Sequence, residues 1–406
     1  HSYSFKFRKR EKDTLGIDSI KISDGTRAFI GHSFDMSIYS KKYIDNIDLG
    51  DSLARALFNN QFYINPTESA DSNRVFKLEN RVFLSLQPWD KNAIISKLDA
   101  GIGHQYISYY GFEPQHFLTG NSTTNYNNLY MYFGAKGSLK KYFGWNAMAR
   151  YDFMGYTQND LMINGNIRFS SYPKKLKQGI HLTAGITVSN RRPGYFYNNL
   201  YTNHYCWDND FGKTTETKIE AKFQIPDAKF EVSFGYSLLN NNVYLDSLSA
   251  ARQNTSTMSV ITAYLKKDFR LWKFHFDNKV LFQHSSDQEV LPLPMLSLDL
   301  RYYLQFYLVK NVLNVQLGAN AIFATKYYAP GYNPALGMFY NQRDEEIGGS
   351  PNIDIFLNLQ WKRACIYVKY INAGKGWPTG DYFSAYRYIK PQKALKFGIF
   401  WPFYIK

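Results

Sequence analysis

Two short runs place a histidine beside a serine, the pair that hydrolases use for nucleophilic catalysis. They are Gly31-His32-Ser33 and His284-Ser285-Ser286. A serine becomes a nucleophile only when a base lies within hydrogen-bond reach and a third group orients that base. Neither run carries an elbow motif or a partner at a suitable spacing, and His32 falls at a polar position of a strand pattern, where a hydrogen bond is the simpler role. We therefore predict no catalytic residue and no enzyme activity.

Acidic and sulfur side chains could in principle hold a metal ion. The run Asp344-Glu345-Glu346 offers carboxylate oxygens of the kind that bind Ca²⁺, although a solvated acidic loop is the simpler interpretation. The chain has only two cysteines, which excludes a disulfide-stapled scaffold and a four-cysteine zinc site. The sequence therefore predicts no metal site and no cofactor.

The composition of the 406-residue chain narrows the class of protein further. The formal net charge is +15, but no block of five or six Lys or Arg occurs. Thinly spread positive charge fits anionic solutes or lipid head groups better than nucleic acid. No apolar run reaches about 18 residues, the length of a membrane-spanning helix. Aromatic residues nevertheless make up 18% of the chain, an excess that the fold must explain.

Alternation of apolar and polar residues with period two dominates the chain, and helical periodicity is almost absent. Between Phe230 and Leu238, for example, every second residue is large and apolar, and the residues between them are small or charged. Leu296–Phe306 and Ile353–Trp361 also have a large apolar residue at every second position. Such strands run for about ten residues, long enough to cross a bilayer at a tilt. Soluble strands are usually half as long.

The connections alternate in length, which is the more specific signal. Short turns, for instance near Leu139–Phe143, Pro226–Lys229 and Lys362–Ala364, alternate with long polar or aromatic loops such as Lys41–Ser72 and Arg191–Lys213. Short turns at one end and long loops at the other are typical of an outer-membrane barrel. The sequence therefore predicts an all-β fold, a transmembrane antiparallel up-and-down β-barrel of about 16 to 18 strands with short periplasmic turns and long extracellular loops.

About 16 strands follow one another in up-and-down order from Arg27 to Phe403. Their centres are Phe34, Leu84, Ile102, Tyr132, Ala149, Ile167, Ala184, Ala221, Phe234, Ala263, Val280, Leu300, Leu317, Leu357, Val368 and Ile399. Ser2–Arg8 also alternates and makes the total odd, so either Phe58–Ile64 is another strand or strands precede His1. We predict an N-terminal strand and connection over residues 1–26, preceded by missing sequence, and the barrel over 27–406.

Each strand of such a barrel has one face toward lipid and one toward the lumen. The apolar positions are predicted to face lipid, so the charged positions between them are predicted to line the lumen: Lys77, Glu79, Arg81, Lys218, Glu220, Lys222, His275, Asp277, Lys279, Asp299, Arg301 and Asp354. Aromatic residues cluster at the predicted strand ends, where amphipathic rings favour the head-group level of a membrane. This aromatic girdle is predicted to include Trp89, Tyr142, Trp145, Trp272, Trp361, Trp401 and Tyr404.

One long loop carries two further features. It begins with Arg191 and Arg192, whose guanidinium groups suit phosphate, and we predict a weak contact between them and lipopolysaccharide. The rest of the loop, Pro193–Asp210, is rich in Tyr and Asn. It could constrict the mouth of the barrel, stack on sugars or pack against another protein, and the sequence does not distinguish these roles.

Several stretches, taken in order, resemble a known family. They are IGHSFDMSIY at Ile30–Tyr39, IGGSPNIDIFLNLQWKRACIYVKYINAG at Ile347–Gly374 and LKFGIFWPFY at Leu395–Tyr404. The chain is thus similar to the putative β-barrel porin family of Gram-negative outer membranes, most densely over its last 75 residues. The resemblance implies a pore in the bacterial cell outer membrane.

The sequence thus predicts a porin that passes small hydrophilic solutes by passive diffusion, with outer-membrane lipids and lipopolysaccharide as its surroundings and no nucleic-acid partner. The alternative is a non-conducting barrel subunit of a larger membrane protein complex for protein export, outer-membrane protein assembly or nutrient uptake. Other outer-membrane or periplasmic proteins would then be its partners.

Overall fold

A single antiparallel sheet of 17 strands makes up most of the chain. The computed structural model describes residues 2–12, 18–46, 48, 50–56, 58, 61–87, 93–112, 121–377 and 383–402. No helix among these residues is long and apolar enough to cross a membrane.

Most of the described chain outside the large sheet forms connections that contain short elements. The large sheet contains β1 (Ser2–Lys12), β2 (Asp18–Asn46), β3 (Glu68–Gln87), β4 (Lys97–Phe112), β5 (Asn121–Leu139), β6 (Phe143–Met154), β7 (Asp160–Ser171), β8 (Ile180–Arg191), β11 (Thr214–Ile225), β12 (Phe230–Asn240), β15 (Met258–Leu271), β16 (Phe274–Ser285), β17 (Leu296–Val309), β18 (Leu313–Ala324), β21 (Asn352–Trp361), β22 (Ala364–Ile371) and β25 (Ala394–Phe400). The connections contain helices α1 (Ser52–Ala56) and α2 (Tyr195–Asn198), a 3-10 turn (Pro226–Ala228), and four small hairpins formed by β9 (Asn199–Tyr201), β10 (Cys206–Asp208), β13 (Asn242–Leu245), β14 (Ala251–Asn254), β19 (Gly331–Asn333), β20 (Met338–Tyr340), β23 (Phe383–Ala385) and β24 (Tyr388–Ile389).

The predicted up-and-down order is confirmed. Each large-sheet strand pairs antiparallel with the next large-sheet strand along the chain. All sixteen predicted centres fall within separate strands of this sheet, and the alternating stretch at Ser2–Arg8 belongs to the seventeenth, β1. The alternative strand at Phe58–Ile64 is wrong, because none of its described residues, Phe58 and 61–64, belongs to a strand. The division of the chain at residue 26 stays a prediction, and β2 runs through it without a break.

One face of the sheet carries large apolar side chains that the protein does not cover. Phe34, Ile102 and Phe397 are 58%, 60% and 79% exposed. The polar and charged side chains alternate with them and lie on the other face. In a soluble sheet the polar face is exposed and the apolar face is buried. An exposed apolar face is instead typical of a transmembrane barrel, whose outer side contacts lipid. We call the two sides of the sheet the apolar face and the polar face.

Short turns and long connections lie at opposite ends of the strands, as predicted. Residues 140–142, 272–273 and 362–363 form tight turns, with positive φ angles of 52° at Lys140, 55° at Trp272 and 51° at Lys362. Left-handed residues give a turn the twist that two antiparallel strands need. The predicted loop Lys41–Ser72 is longer than the observed one, because the pairing of β2 with β3 continues outward to Asn46 and Glu68.

The main hydrophobic core lies in the long connections and not between sheets. A buried cluster joins Phe58, Leu200, Leu245, Ala251 and Leu336. We call the described parts of residues 47–67, 192–213, 241–257, 325–351 and 372–393 the cap. These connections leave the sheet at strand pairs spread around its whole width, from β2 and β3 to β22 and β25. In a closed barrel they can meet only by extending across its mouth.

Candidate functional site: the polar face and the cap

The twelve residues predicted to line the lumen all lie on the polar face. Residues directly opposite each other in a ladder share a face, and Lys279 faces Asp299 while Asp277 faces Arg301. Following the paired residues from strand to strand, from β3 to β21, places the other predicted charges on this same face. The period-two pattern in the sequence therefore predicted correctly that these side chains share one face of the sheet.

Ion pairs cover this face without closing it. The Nζ atom of Lys279 lies 2.7 Å from a carboxylate oxygen of Asp299, and the two side chains keep 47% and 46% of their surface exposed. Similar pairs join Lys222 to Glu231 at 2.9 Å and Lys369 to Asp354 at 2.7 Å. Charges that remain half exposed are not packed against other described parts of the protein, because close packing would have buried them.

A network near the middle of β3 to β6 centres on Glu79. Its carboxylate accepts hydrogen bonds from Tyr130 Oη at 2.5 Å and Gln105 Nε2 at 2.9 Å. The guanidinium carbon of Arg150 stands 3.6 Å from the centre of the Tyr130 ring. A Cβ atom at Gly103 would come within 2.1 Å of that ring, so glycine is needed for the ring to lie flat on the wall. Tyr130 and Arg150 were not among the predicted lumen residues. The signal for Arg150 was available, because Arg150 and Asp152 alternate with apolar residues on β6.

A second arginine–aromatic cluster lies nine strands further along the sheet, on β16 to β21. The guanidinium carbon of Arg301 lies 5.1 Å from the Tyr303 ring centre and 4.9 Å from that of Phe356. His275 stacks on Tyr303 with ring centres 4.7 Å apart. Nine strands are about half of the 17-stranded sheet, so closure of the sheet into a barrel would place the two clusters on opposite walls.

The described members of the predicted aromatic girdle all lie at one end of the sheet. Trp272 and Tyr142 lie in short turns, and Trp361 directly precedes one. Trp145 is the third residue of β6, and Trp401 follows the end of β25. This is the short-turn end. Trp89 and Tyr404 lie outside the described residues. Their location at a membrane interface stays a prediction.

The side chain of Asn203 ties the cap to the mouth of the sheet. Its Nδ2 donates to Asn65 O at 2.8 Å and to Ser69 Oγ at 2.7 Å. Its Oδ1 accepts from the backbone N–H of Ile64 at 3.1 Å and of Asn65 at 2.9 Å, and its own N–H donates to Asp71 at 2.9 Å. Asn203 is 1% exposed. One asparagine thus fixes the loop after β8 to the loop before β3, more than 130 residues away.

His204 lies beside it and is equally buried. Its ring stacks on Phe58 with centres 3.8 Å apart, and Nδ1 lies 3.1 Å from Gln61 O. Because Nδ1 faces a carbonyl oxygen it carries the proton, so Nε2 accepts from the Ser69 hydroxyl at 2.7 Å. This Ser–His pair is completely buried, whereas a nucleophile must be reached by its substrate. The pair therefore holds the cap together.

Burial lowers the pKa of His204 below its ordinary value of 6.5, and Gln61 O and the nearby Asp71 only partly offset this. An opened cap would return the imidazole to its ordinary pKa, so below about pH 6.5 the open form binds more protons. We therefore expect acid to open the cap: the population of the open form should rise by up to about tenfold for each pH unit below 6.5. Proteinase K cleavage within residues 199–211, normalised at each pH to an unfolded peptide, measures this. His204→Gln should flatten the pH dependence, and an equal dependence in that variant would contradict the assignment.

The remaining predicted residues have plain structural contacts. His32 lies on the apolar face, between Ile30 and Phe34, and not at a polar position; its Nε2 lies 3.3 Å from Asn80 Oδ1. Ser285 Oγ donates to Asp287 O at 2.9 Å. Arg191 is on the polar face. The lipopolysaccharide contact stays a prediction.

Arg192, a predicted phosphate contact, and Asp344, from the acidic run, both have partners within the protein. Arg192 Nη2 lies 3.5 Å from Asp210, and its guanidinium carbon is 4.8 Å from the Tyr156 ring centre. Asp344 accepts a hydrogen bond from Tyr386 at 2.5 Å. Within the part of the chain that the structure describes, no group of three His, Cys, Asp or Glu side chains could hold a metal ion.

Together, the uncovered apolar face, the charged opposite face and the alternating connections define an outer-membrane β-barrel of the transport class. The chain matches the family described as "Putative porin" over residues 1–404 and belongs to that family. This confirms the predicted family, fold class and bacterial outer-membrane location. No curated protein matches the chain in sequence.

Solved structures of similar fold are outer-membrane receptors. A mutant of the ferric enterobactin receptor from Pseudomonas aeruginosa aligns with a TM-score of 0.60 and 12% identity over 98% of this chain and 60% of its own. The siderophore receptor PirA from Acinetobacter baumannii gives 0.57 and 10% over 98% and 61%. The ferric yersiniabactin uptake receptor from Yersinia pestis gives 0.54 and 11% over 86% and 54%. The chain therefore spans about three fifths of these proteins or less, and the likeness concerns the fold.

Proposed function

We propose that the barrel is a porin through which small hydrophilic solutes diffuse passively, with the polar face as the wall of its lumen. The half-exposed pair Lys279 and Asp299 carries this proposal, since charges in that state need water beside them. Barrels of 16 to 18 strands leave an aqueous channel when nothing fills them.

The wall should discriminate only weakly between anions and cations. The predicted lumen set contains six Lys or Arg, five Asp or Glu and one His, so its formal charge is 6 − 5 = +1. Many other positive residues, including Lys140, Lys310 and Lys362, are in the short turns, where basic side chains suit anionic lipid head groups.

The cap supports a second candidate function. Loops that pack together across the mouth would narrow the route by which solutes enter the barrel. This favours the alternative, a barrel subunit of a larger outer-membrane complex for protein export, outer-membrane protein assembly or nutrient uptake. Other membrane or periplasmic proteins, outer-membrane lipids and lipopolysaccharide would be its partners.

The pore function is tested by conductance in a planar lipid bilayer, where purified protein should give steady, weakly selective channels. Lys222→Glu combined with Lys279→Glu should then raise the K⁺-to-Cl⁻ permeability ratio, by at least about twofold, because both charges lie on the polar face. The reversal potential in a KCl gradient measures the ratio.

Lys310→Glu is the matched control, since this exposed lysine is in the turn after β17 and should leave the ratio nearly unchanged. A bilayer that stays silent, together with stable co-purification of other proteins in mild detergent, would favour the complex subunit over the pore.

A further inference from the structure

The cap contains a cavity of about 560 Å³ that lies wholly among its connections. This volume is within the range of small-molecule binding sites. Its wall includes the aromatic rings of Tyr205, Tyr332, Tyr340 and Tyr388, and the charged groups of Asp344 and Arg387. These residues come from three connections that are far apart in sequence, so the cavity exists only when the cap is folded.

The cavity is polar but has no net charge. Among the described side chains that line it, only Asp344 and Arg387 are ionised, and their charges are opposite. The other polar groups there are hydroxyls and amides. A strongly anionic ligand would need an excess of cations here, and a purely apolar ligand would leave tyrosine hydroxyls of the wall without partners. The lining therefore suits an uncharged molecule that is rich in hydrogen-bonding groups.

The tyrosines offer exposed ring surface as well. Tyr332 and Tyr388 are 37% and 41% exposed, with ring centres 5.9 Å apart in an edge-to-face arrangement. A tyrosine ring presents an apolar face and a polar hydroxyl at once. A pyranose ring has the complementary form, with C–H groups on its faces and hydroxyls around its rim.

Hydrogen bonds hold this wall in place before any ligand arrives. Asn333 Nδ2 donates to Tyr205 Oη and, at 3.0 Å, to Ser249 Oγ. Gln342 Nε2 donates to Ala329 O at 2.7 Å, and its Oε1 accepts from the N–H of Asp344 at 2.8 Å. These amides are used within the chain, so they position the wall. A site that is already rigid loses less entropy on binding.

We propose that this cavity binds a short, uncharged oligosaccharide, with Tyr388 and Tyr332 against the sugar faces and with Arg387 and Asp344 on its hydroxyls. The site is separate from the polar face of the barrel. Binding therefore does not depend on whether the barrel conducts.

The test uses the full chain in lauryldimethylamine oxide micelles, because maltoside and glucoside detergents would themselves occupy a sugar site. An array of neutral di- to tetrasaccharides, with sialylated and sulfated ones beside them, is screened first. The neutral sugar with the strongest signal is then titrated by calorimetry. We expect Tyr388→Ala and Arg387→Ala each to weaken binding at least tenfold, and Tyr388→Phe to keep most of it.

Tyr328→Ala is the matched control, since this tyrosine is 41% exposed in the cap but does not line the cavity, and it should bind as the parent does. Binding of anionic glycans alone, no binding by any neutral sugar, or equal affinity in the Tyr388→Ala and Tyr328→Ala variants would each overturn the proposal. Conductance of the same preparation without sugar tests the pore function alone. A failure of the sugar-binding proposal can therefore be distinguished from a failure of the pore proposal.

Discussion

Replacing residues 192–213 with a Gly-Asn-Gly turn is expected to raise the single-channel conductance several-fold and to admit larger solutes. Arg191 and Thr214 face each other in the ladder of β8 and β11, so a short turn can join the strands without changing their register. The deletion removes Leu200 and Tyr205 from the buried cluster and Asn203 from the mouth. With these gone, the other connections lose the centre against which they pack.

Asp210→Ala is the control for this deletion, because its carboxylate is 96% exposed and makes only a 3.5 Å contact with Arg192. Its conductance should equal that of the parent. If the deletion variant is correctly inserted, with unchanged heat-modifiable migration on gels, and yet conducts no better, the cap is not the main barrier to solutes.

Asn203→Ala should loosen the cap without removing it. The substitution leaves the N–H groups of Ile64 and Asn65 and the carbonyl of Asn65 without the partners they have now. An orphaned buried polar group costs about 1–3 kcal/mol, and water entering the gap would recover part of this. We expect a loss of about 3 kcal/mol in cap stability, equivalent to roughly a hundredfold faster hydrogen exchange at residues 61–65.

Asn209→Ala provides the comparison, since the Asn209 side chain donates a hydrogen bond to Tyr197 O at 3.1 Å and does not join the loop before β3. It should change exchange by less than tenfold. Equal effects in both variants would show that the asparagine network is not what closes the cap. Exchange in β11 and β12, away from the mouth, should not respond to either variant.

The wall could be predicted from the sequence because it follows a local rule. A residue's face depends only on its parity along the strand, so Lys218, Glu220 and Lys222 could be assigned together before any ladder was known. His32 shows the limit of this rule. It is chemically polar but has the parity of Ile30 and Phe34, and it is accommodated there through Asn80.

The cap could not be predicted in the same way. Asn203 contacts residues more than 130 positions earlier, and no period links two loops of irregular structure. The sequence signalled only that Pro193–Asp210 is rich in Tyr and Asn, which left three roles open. Parity also failed to show that Tyr130 and Arg150 meet over Gly103, because that contact depends on which strands become neighbours.

The distribution of the buried cluster also determines when the protein can close during its assembly. Phe58 follows β2, whereas Ala335 and Leu336 follow β18, so the cluster cannot be completed until nearly all of the wall is in place. A barrel that stops halfway through insertion would leave an unsealed hole in the membrane. We therefore expect the mouth to close late in assembly, after the fourteen strands from β1 to β18.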